Sequence, residues 1–402
     1  MTTAKLPRAA DPRQPAPPNR RVRLAEVGSN IFTEMSALAV RHRAVNLAQG
    51  FPDTPGPDAV TEAAVTALRA GHHQYPPVPG LPALRAAIAD HQRDRYGIVL
   101  DPETDVVVTT GASEAIASAL LAFAGPGDEV VVLEPYYDSY AAGTELAGAR
   151  LVPVPLTGPD FRLDSDALGA AITDRTRVLL LNNPHNPTGT VLNEQELDEL
   201  ARAAVAHDLV VISDEVYEHL VYDGRHHPIA ALPGMFERTV TIGSAGKSFS
   251  FTGWKVGWAT GPADLVAGVL SVKQYLSFAS GTPFQHAVAE ALRLPDRHYT
   301  DLRDSLRARR DLLVDGLSAL GLQPSTPEGT YFVLADVRPL GAVDGLEFCR
   351  ELPRRYGVAA IPGQVFYTAP ETGRHLVRFV FCKKEEVLRD ALRRLAPLRT
   401  AH

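Results

Sequence analysis

Apolar positions along the chain fall into short continuous runs separated by stretches with helical spacing. The runs at 106–108, 178–181 and 209–212 are rich in Val, Leu and Ile, which favours strands buried on both faces. From about Val60 to Trp258 such strands alternate with apolar-periodic helices. This alternation is typical of βαβ units, so we predict an α/β fold with a large domain built on a mostly parallel sheet covered by helices.

The remainder of the chain has a different pattern. A long helical spacing runs from Pro283 to Leu320, and a helical spacing also begins at Ile31. Beyond it we predict short strands and helices at 331–334, 346–355, 377–381 and 385–395. These segments indicate a smaller C-terminal α/β domain, so we predict a disordered tail at 1–28, a small domain from 29–45 with 291–402, and a large domain at 46–290.

Composition limits the possible partners and compartment. The chain has 402 residues and a formal net charge of −7 with mixed signs, which argues against nucleic acid as a partner. It contains neither an 18-residue apolar run nor a secretory leader pattern, so we expect no membrane association. Its two cysteines, Cys349 and Cys382, form no redox or metal motif and fit a reducing cytoplasm.

Lysine is scarce in this chain, and its placement is informative. Of 40 basic residues only six are Lys, yet Lys247 and Lys255 lie within nine residues of each other. Arginine stays protonated in proteins, whereas a partly desolvated lysine can become a neutral amine and attack a carbonyl. We therefore predict that Lys247 bonds to the aldehyde of pyridoxal phosphate (PLP).

Two further motifs follow predicted strands and suit this cofactor. Asp214 ends the run at 209–212, at the edge where open α/β sheets bind ligands, and its carboxylate could keep the ring nitrogen of PLP protonated. Glu215 is the alternative acid. Tyr217 and Asn186 are candidate donors to the phenolate oxygen. We interpret His185 as a loop residue and predict no metal site, because no Cys/His cluster has metal-ligand spacing.

A third motif suits a phosphate group. The strand at 106–108 leads through Gly111, Ala112 and Ser113 into a helix, which offers free N–H groups and a hydroxyl to an anion. Ser244 and Lys255, from the segment around Lys247, would complete this seat.

Four motifs together carry a family resemblance: GASEAI at 111–116, NPTG at 186–189, DEVY at 214–217 and SxxKxFxxTGWKxG at 244–257. In order and spacing they resemble the class I/II aminotransferases of PLP fold type I. The segments 45–53 and 74–77 are most similar to kynurenine/glutamine and methionine aminotransferases, and to actinobacterial enzymes assigned to N-succinyldiaminopimelate transamination.

The resemblance implies roles for individual residues. Lys247 would bind PLP covalently, Asp214 would pair with its ring nitrogen, and Tyr137 would stack on the ring. The residues implied to contact the remainder of the cofactor are Tyr217, Asn186, Gly111, Ala112, Ser113, Ser244 and Lys255. Some kynurenine-type relatives have an aromatic residue at the position of Ser113 and Phe at the position of Tyr137. This difference implies a smaller, more polar substrate pocket here.

Arg378 is the remaining candidate. Alternation places it on the same strand face as Leu376 and Val380, so it is a charge on an apolar face. Such a residue needs either a structural acid partner or an anionic ligand. A guanidinium matches a carboxylate bidentately, and the resemblance implies that Arg378 binds the substrate α-carboxylate. It also implies that Gly50, with Asn186, contributes to the substrate site.

The predicted reaction is transfer of an amino group from an L-amino acid to a 2-oxo acid by a ping-pong mechanism, with Lys247 moving the proton from Cα. A cysteine-S-conjugate β-lyase or a PLP-dependent oxidase would use the same residues and stays open. A ligand-sensing regulator is disfavoured, since the segment before Ile31 is short for a DNA-binding domain. The resemblance further implies a homodimer with shared sites, in which Tyr75 and the segment 281–283 reach the partner's cofactor. The specific substrate stays open.

Overall fold

The computed structural model describes residues 31–400, so the predicted tail at 1–28 lies outside the described residues. The helices of the described part are α1 (Ile31–His42), α2 (Asp58–Arg69), α3 (Pro82–Tyr96), α4 (Gly111–Phe123), α5 (Ser139–Ala147), α6 (Ser165–Ala171), α7 (Glu194–Ala206), α8 (Ala245–Ser248), α9 (Ala263–Leu276), α10 (Thr282–Ala291), α11 (Asp296–Ala319), α12 (Gly345–Arg355) and α13 (Glu385–Leu395).

The strands are β1 (Val45–Asn46), β2 (Val106–Thr109), β3 (Glu129–Glu134), β4 (Arg150–Pro155), β5 (Thr176–Asn182), β6 (Val210–Asp214), β7 (Thr239–Ser244), β8 (Gly257–Thr260), β9 (Gln323–Pro324), β10 (Phe332–Asp336), β11 (Val358–Ala359), β12 (Ile361–Pro362) and β13 (Leu376–Val380).

The central sheet has seven strands in the order β2-β8-β7-β6-β5-β3-β4. All neighbouring strands are parallel except at β8, which runs antiparallel to both β2 and β7. Every residue of β2 and β3 is buried, because hydrophobic clusters cover both faces of the sheet. The predicted α/β fold with a mostly parallel sheet is therefore confirmed.

A second, antiparallel sheet has the order β12-β13-β10-β9. It shares one hydrophobic cluster with α1, α11, α12 and α13. Its register pairs Leu334 with Arg378 and Ile361 with Arg378, so the arginine lies on the middle of three strands. Where the chain divides into domains stays a prediction.

The helical spacing predicted from Pro283 to Leu320 is interrupted once in the structure. This segment forms two helices, α10 and α11, separated at 292–295. Pro295 has an extended backbone, with φ −63° and ψ 156°, and it supplies no N–H for a continuous helix. The break is local, since the apolar spacing continues on both sides of the proline.

Candidate active site

One cavity of about 410 Å³ lies at the carboxyl ends of β5, β6 and β7. Parallel strands bring their carboxyl ends to one edge, so residues distant in sequence meet there. The predicted site residues that line the cavity are Gly50, Gly111, Ala112, Ser113, Tyr137, Asn186, Asp214, Tyr217, Ser244, Lys247, Lys255 and Arg378.

Tyr75 is the one predicted site residue outside this lining. Its side chain is 79 % exposed, and its ring packs edge-on against Phe278 with the centroids 5.2 Å apart. Within the described part of a single chain, Tyr75 therefore contributes nothing to the cavity.

Lys247 lies in the short helix α8 directly after β7. Its Nζ lies 5.8 Å from the ring centroid of Tyr217 and 5.9 Å from that of Tyr331. Burial lowers the pKa of the ammonium group, with Lys255 and Arg378 adding repulsion. The amine is thereby shifted toward the neutral form that a nucleophile or base requires.

Asp214 ends β6 and is 5 % exposed. Burial raises the pKa of this carboxyl to about 6, although the hydroxyl of Tyr140 donates a hydrogen bond to Oδ2 at 2.7 Å and opposes the rise. Glu215, the alternative acid, points elsewhere: it accepts a hydrogen bond from Ser213 and contacts His226 at 2.7 Å. Of these two acids, Asp214 is thus the one that faces the cavity.

The segment before α4 forms a seat for an anion. Gly111 has φ +73°, and a Cβ there would lie 3.0 Å from Nζ of Lys255. Gly257 packs so closely that a Cβ would lie 2.6 Å from the backbone nitrogen of Ala112. The first N–H groups of α4, which lack partners in the helix, and the Lys255 ammonium therefore converge on the cavity, as phosphate binding requires.

Arg378 is 2 % exposed, yet it forms no ion pair within residues 31–400. Its Nη1 donates to Oδ1 of Asn186 at 2.9 Å and its Nη2 to the carbonyl of Ala48 at 3.2 Å, while its Nε has no hydrogen-bond partner. Burial lowers its pKa to about 10, so it stays cationic at neutral pH. Asp138, on the wall of the same cavity, attracts the guanidinium without forming a salt bridge to it. Burying a charge without a directly bonded counter-ion costs several kcal/mol, which an anionic ligand would offset.

Aromatic side chains enclose both ends of the cavity. The rings of Phe332, Phe366 and Phe32 lie 4.3, 4.9 and 5.3 Å from the Arg378 guanidinium carbon. Tyr137 lines the opposite part near Asp214, and burial raises its pKa to about 12. These apolar walls reduce solvent access, which strengthens the electrostatic interactions inside.

Sequence reasoning missed several residues in and behind this cavity. Tyr140, which bonds to Asp214, lies at the start of α5, three residues after Tyr137. Tyr331 donates to the carbonyl of Gly50 at 2.7 Å, whereas the sequence pattern predicts only a strand there. No local pattern distinguishes Phe32 from an ordinary core residue of α1.

The chemistry of these residues fits PLP. The cavity combines a seat for a phosphate, a desolvated amine, a buried acid for a ring nitrogen and an aromatic wall. The unpartnered Nε of Arg378 leaves a second anion position for a carboxylate.

Comparisons with known proteins agree with this chemistry. Residues 42–395 match the family described as aminotransferase class I and II. The chain is 53 % identical over 388 residues to the probable N-succinyldiaminopimelate aminotransferase DapC of Mycobacterium tuberculosis, covering 94 % of this chain and 98 % of the relative. It is 42 % identical over 377 residues to the methionine aminotransferase of Escherichia coli, covering 94 % and 97 %.

Solved structures show the same relationship. The structure of N-succinyldiaminopimelate aminotransferase from Mycobacterium tuberculosis superimposes with a TM-score of 0.92 at 54 % identity, covering 94 % of this chain and 100 % of that one. An Escherichia coli structure assigned a methionine aminotransferase function gives a TM-score of 0.91 at 42 % identity, with the same coverage. The chain therefore belongs to the class I/II aminotransferases, the PLP-dependent enzymes of fold type I that transfer amino groups between amino acids and 2-oxo acids.

Proposed function

We propose that Lys247 and Arg378 have separate roles in this aminotransferase. Lys247 acts on the reacting carbon of the substrate, and Arg378 binds its α-carboxylate. The observation that carries this proposal is the buried guanidinium of Arg378, which faces the cavity, forms no salt bridge in the described chain and has an unpartnered Nε. Every amino acid substrate presents an α-carboxylate, whose two oxygens match the Nε and Nη2 fork. The α-carbon would then lie between Arg378 and Lys247.

The other cavity residues would hold the cofactor. Gly111, Ala112, Ser113, Ser244 and Lys255 surround the anion seat and would bind the phosphate. Asp214 would pair with the ring nitrogen, with Tyr137 against the ring face. Tyr217 and Asn186 would donate to the phenolate oxygen, and the Oδ1 of Asn186 is already oriented toward Arg378.

In the bound state PLP supplies an electron sink for the bond that breaks at Cα. Lys247 takes the Cα proton as general base, and burial, which lowers its pKa, favours the neutral amine that this step requires. Asp214 keeps a negative charge next to the ring nitrogen, and Tyr140 holds that carboxylate in place through its 2.7 Å hydrogen bond. The aromatic walls around Arg378 exclude water from the carboxylate.

For the amino-group donor we propose N-succinyldiaminopimelate, because the relative named for that substrate is 53 % identical over nearly the whole chain. Methionine is the second candidate, from the relative at 42 % identity. Ser113 is exposed at the cavity wall and leaves space for a long polar side chain. Steady-state kcat/KM for a panel of amino acids with 2-oxoglutarate or pyruvate decides between them. A clear preference for methionine would remove the first assignment, and release of pyruvate from cysteine conjugates or of peroxide would favour a lyase or an oxidase.

We also propose a homodimer that shares its active sites. The side chains of Tyr75, Tyr275, Leu276 and Phe278 are 79, 85, 54 and 44 % exposed, an apolar surface that favours coverage by a second copy. Tyr75 would cross this interface to the partner's phosphate seat.

The test of shared sites mixes two damaged variants, Lys247→Ala and Tyr75→Ala. In a mixed dimer one site combines an intact Lys247 with an intact Tyr75, so random exchange restores about one quarter of the sites. A monomer in sedimentation, or no recovered activity after exchange, contradicts the proposal.

The buried free thiols of Cys349 and Cys382 support a cytoplasmic location, which subcellular fractionation tests. Among residues 31–400 there is no helix with the length and apolar character that crossing a bilayer requires.

A further inference from the structure

A second cavity, of about 930 Å³, is lined by residues entirely different from those of the active site. It lies between the C-terminal half of α3, the segment that follows β6 and the start of α11. His91, Glu218 and His219 form part of its wall, and His91 is separated from the other two by more than 120 residues of sequence. No local pattern predicts this cluster, because only the fold brings His91 to the other two side chains.

The three side chains have the separations of a metal site. His91 Nε2 lies 3.3 Å from Oε2 of Glu218, and His219 Nε2 lies 3.7 Å from Oε1. All three ligand atoms lie within 4.8 Å of one another. Tetrahedral zinc with bonds of about 2.0–2.1 Å requires ligand atoms about 3.3 Å apart. The ligand atoms would therefore need to move by between a fraction of an ångström and about 1.5 Å to reach zinc-binding separations.

The carboxylate of Glu218 is buried and is held in place by its neighbours, since the residue is only 7 % exposed. The hydroxyl of Tyr96 donates to Oε2 of Glu218 at 2.6 Å, the kind of outer hydrogen bond that orients a metal-binding carboxylate.

A neighbouring polar group lacks a partner. Tyr299 lines the same cavity, is 5 % exposed, and its hydroxyl makes no hydrogen bond within the described chain. Its ring lies against His219, with the centroids 4.2 Å apart. A buried hydroxyl without a partner costs about 1–3 kcal/mol, and a metal-bound water would satisfy it.

We propose that His91, Glu218 and His219 bind a divalent transition-metal ion, zinc above all, whose fourth ligand is a water from the second cavity. Two histidines and one carboxylate are a ligand set that zinc accepts, and the cavity provides a route for the ion. The ion would join α3 to the segment after β6, which directly follows Asp214. It would have a structural role separate from the cofactor.

The experiment titrates the PLP-loaded enzyme with zinc by calorimetry after treatment with a chelator and its removal. We expect one zinc ion per chain and a higher melting temperature. His219→Ala and Glu218→Gln should each weaken zinc binding by at least about 100-fold, more than the loss of an outer hydrogen bond produces.

His72→Ala is the matched control, because His72 forms a histidine pair with His286 outside this cavity, with the ring centroids 4.2 Å apart. Zinc binding that is lost in the control and kept in His219→Ala would overturn the proposal, as would the absence of saturable binding. If both cluster variants misfold, cobalt(II) added to the unaltered enzyme gives the answer. An intense tetrahedral absorption supports the site, and the weak spectrum of hydrated cobalt refutes it.

Discussion

Replacement of Arg378 by lysine tests the proposed carboxylate site most directly. The variant keeps the positive charge but removes the planar fork, so one of two charge-assisted hydrogen bonds to the substrate carboxylate is lost. Such a bond contributes about 1.5–3 kcal/mol. At about 1.36 kcal/mol per tenfold change, kcat/KM should fall about 10- to 150-fold.

The decrease should appear mainly in KM and should be similar for every amino acid. The α-carboxylate is common to all substrates, and the Arg378 guanidinium hydrogen-bonds only to Asn186 and Ala48 in the described chain. The relative preference among side chains should therefore stay the same. The assay measures kcat/KM for several amino acids with one common 2-oxo acid, together with the melting temperature of each variant.

Arg310→Lys is a suitable control. Arg310 is also buried, at 8 % exposed, but it is paired with Asp311 at 2.8 Å, bonds to the carbonyl of Pro327 and does not line the active-site cavity. We expect this variant to lose stability and keep its kcat/KM. The reasoning is refuted if Arg378→Lys behaves in the same way, since Arg378 would then serve only the fold.

Four other predictions concern the cofactor and the pocket. Borohydride should fix PLP to Lys247, so peptide mapping finds no label in Lys247→Ala, whereas a label at Lys255 would reverse the assignment. Asp214→Asn should bind PLP but lose about 10³-fold in turnover, because an amide cannot hold the ring nitrogen protonated, and near-normal rates would point to Glu215. Asp214 is ionised only above its pKa of about 6, so the affinity of the apoenzyme for PLP should rise as pH increases through that value. Tyr140→Phe removes a hydrogen bond that lowers this pKa, so the midpoint of the rise should move to higher pH. A shift to lower pH contradicts the assigned contact. Ser113→Tyr should favour aromatic over polar substrates by about 1–3 kcal/mol in relative kcat/KM, whereas an equal effect on all substrates would limit Ser113 to the phosphate.

Much of the fold was accessible from local patterns. Strands buried on both faces leave continuous apolar runs, and each run here predicted a strand of the central sheet, as at 178–181 within β5. The helical spacing after Pro283 does not show where one helix ends and the next begins, because the apolar spacing continues across Pro295 while the helix does not. The spacing of apolar residues indicates which face of a helix is buried. It does not indicate whether the backbone hydrogen bonds of that helix are continuous.

The sequence by itself determined the residues at the ends of parallel strands. Asp214 and Lys247 each follow a strand of one sheet, and such ends meet at one edge, so local order already implied their proximity. Only the tertiary structure decided that Tyr140 bonds to Asp214 and that Arg378 forms no salt bridge within the described chain. It alone brought His91 to Glu218, across more than 120 residues. Strand and helix patterns arise from neighbours in sequence, whereas hydrogen-bond partners and desolvation depend on which distant surfaces pack together.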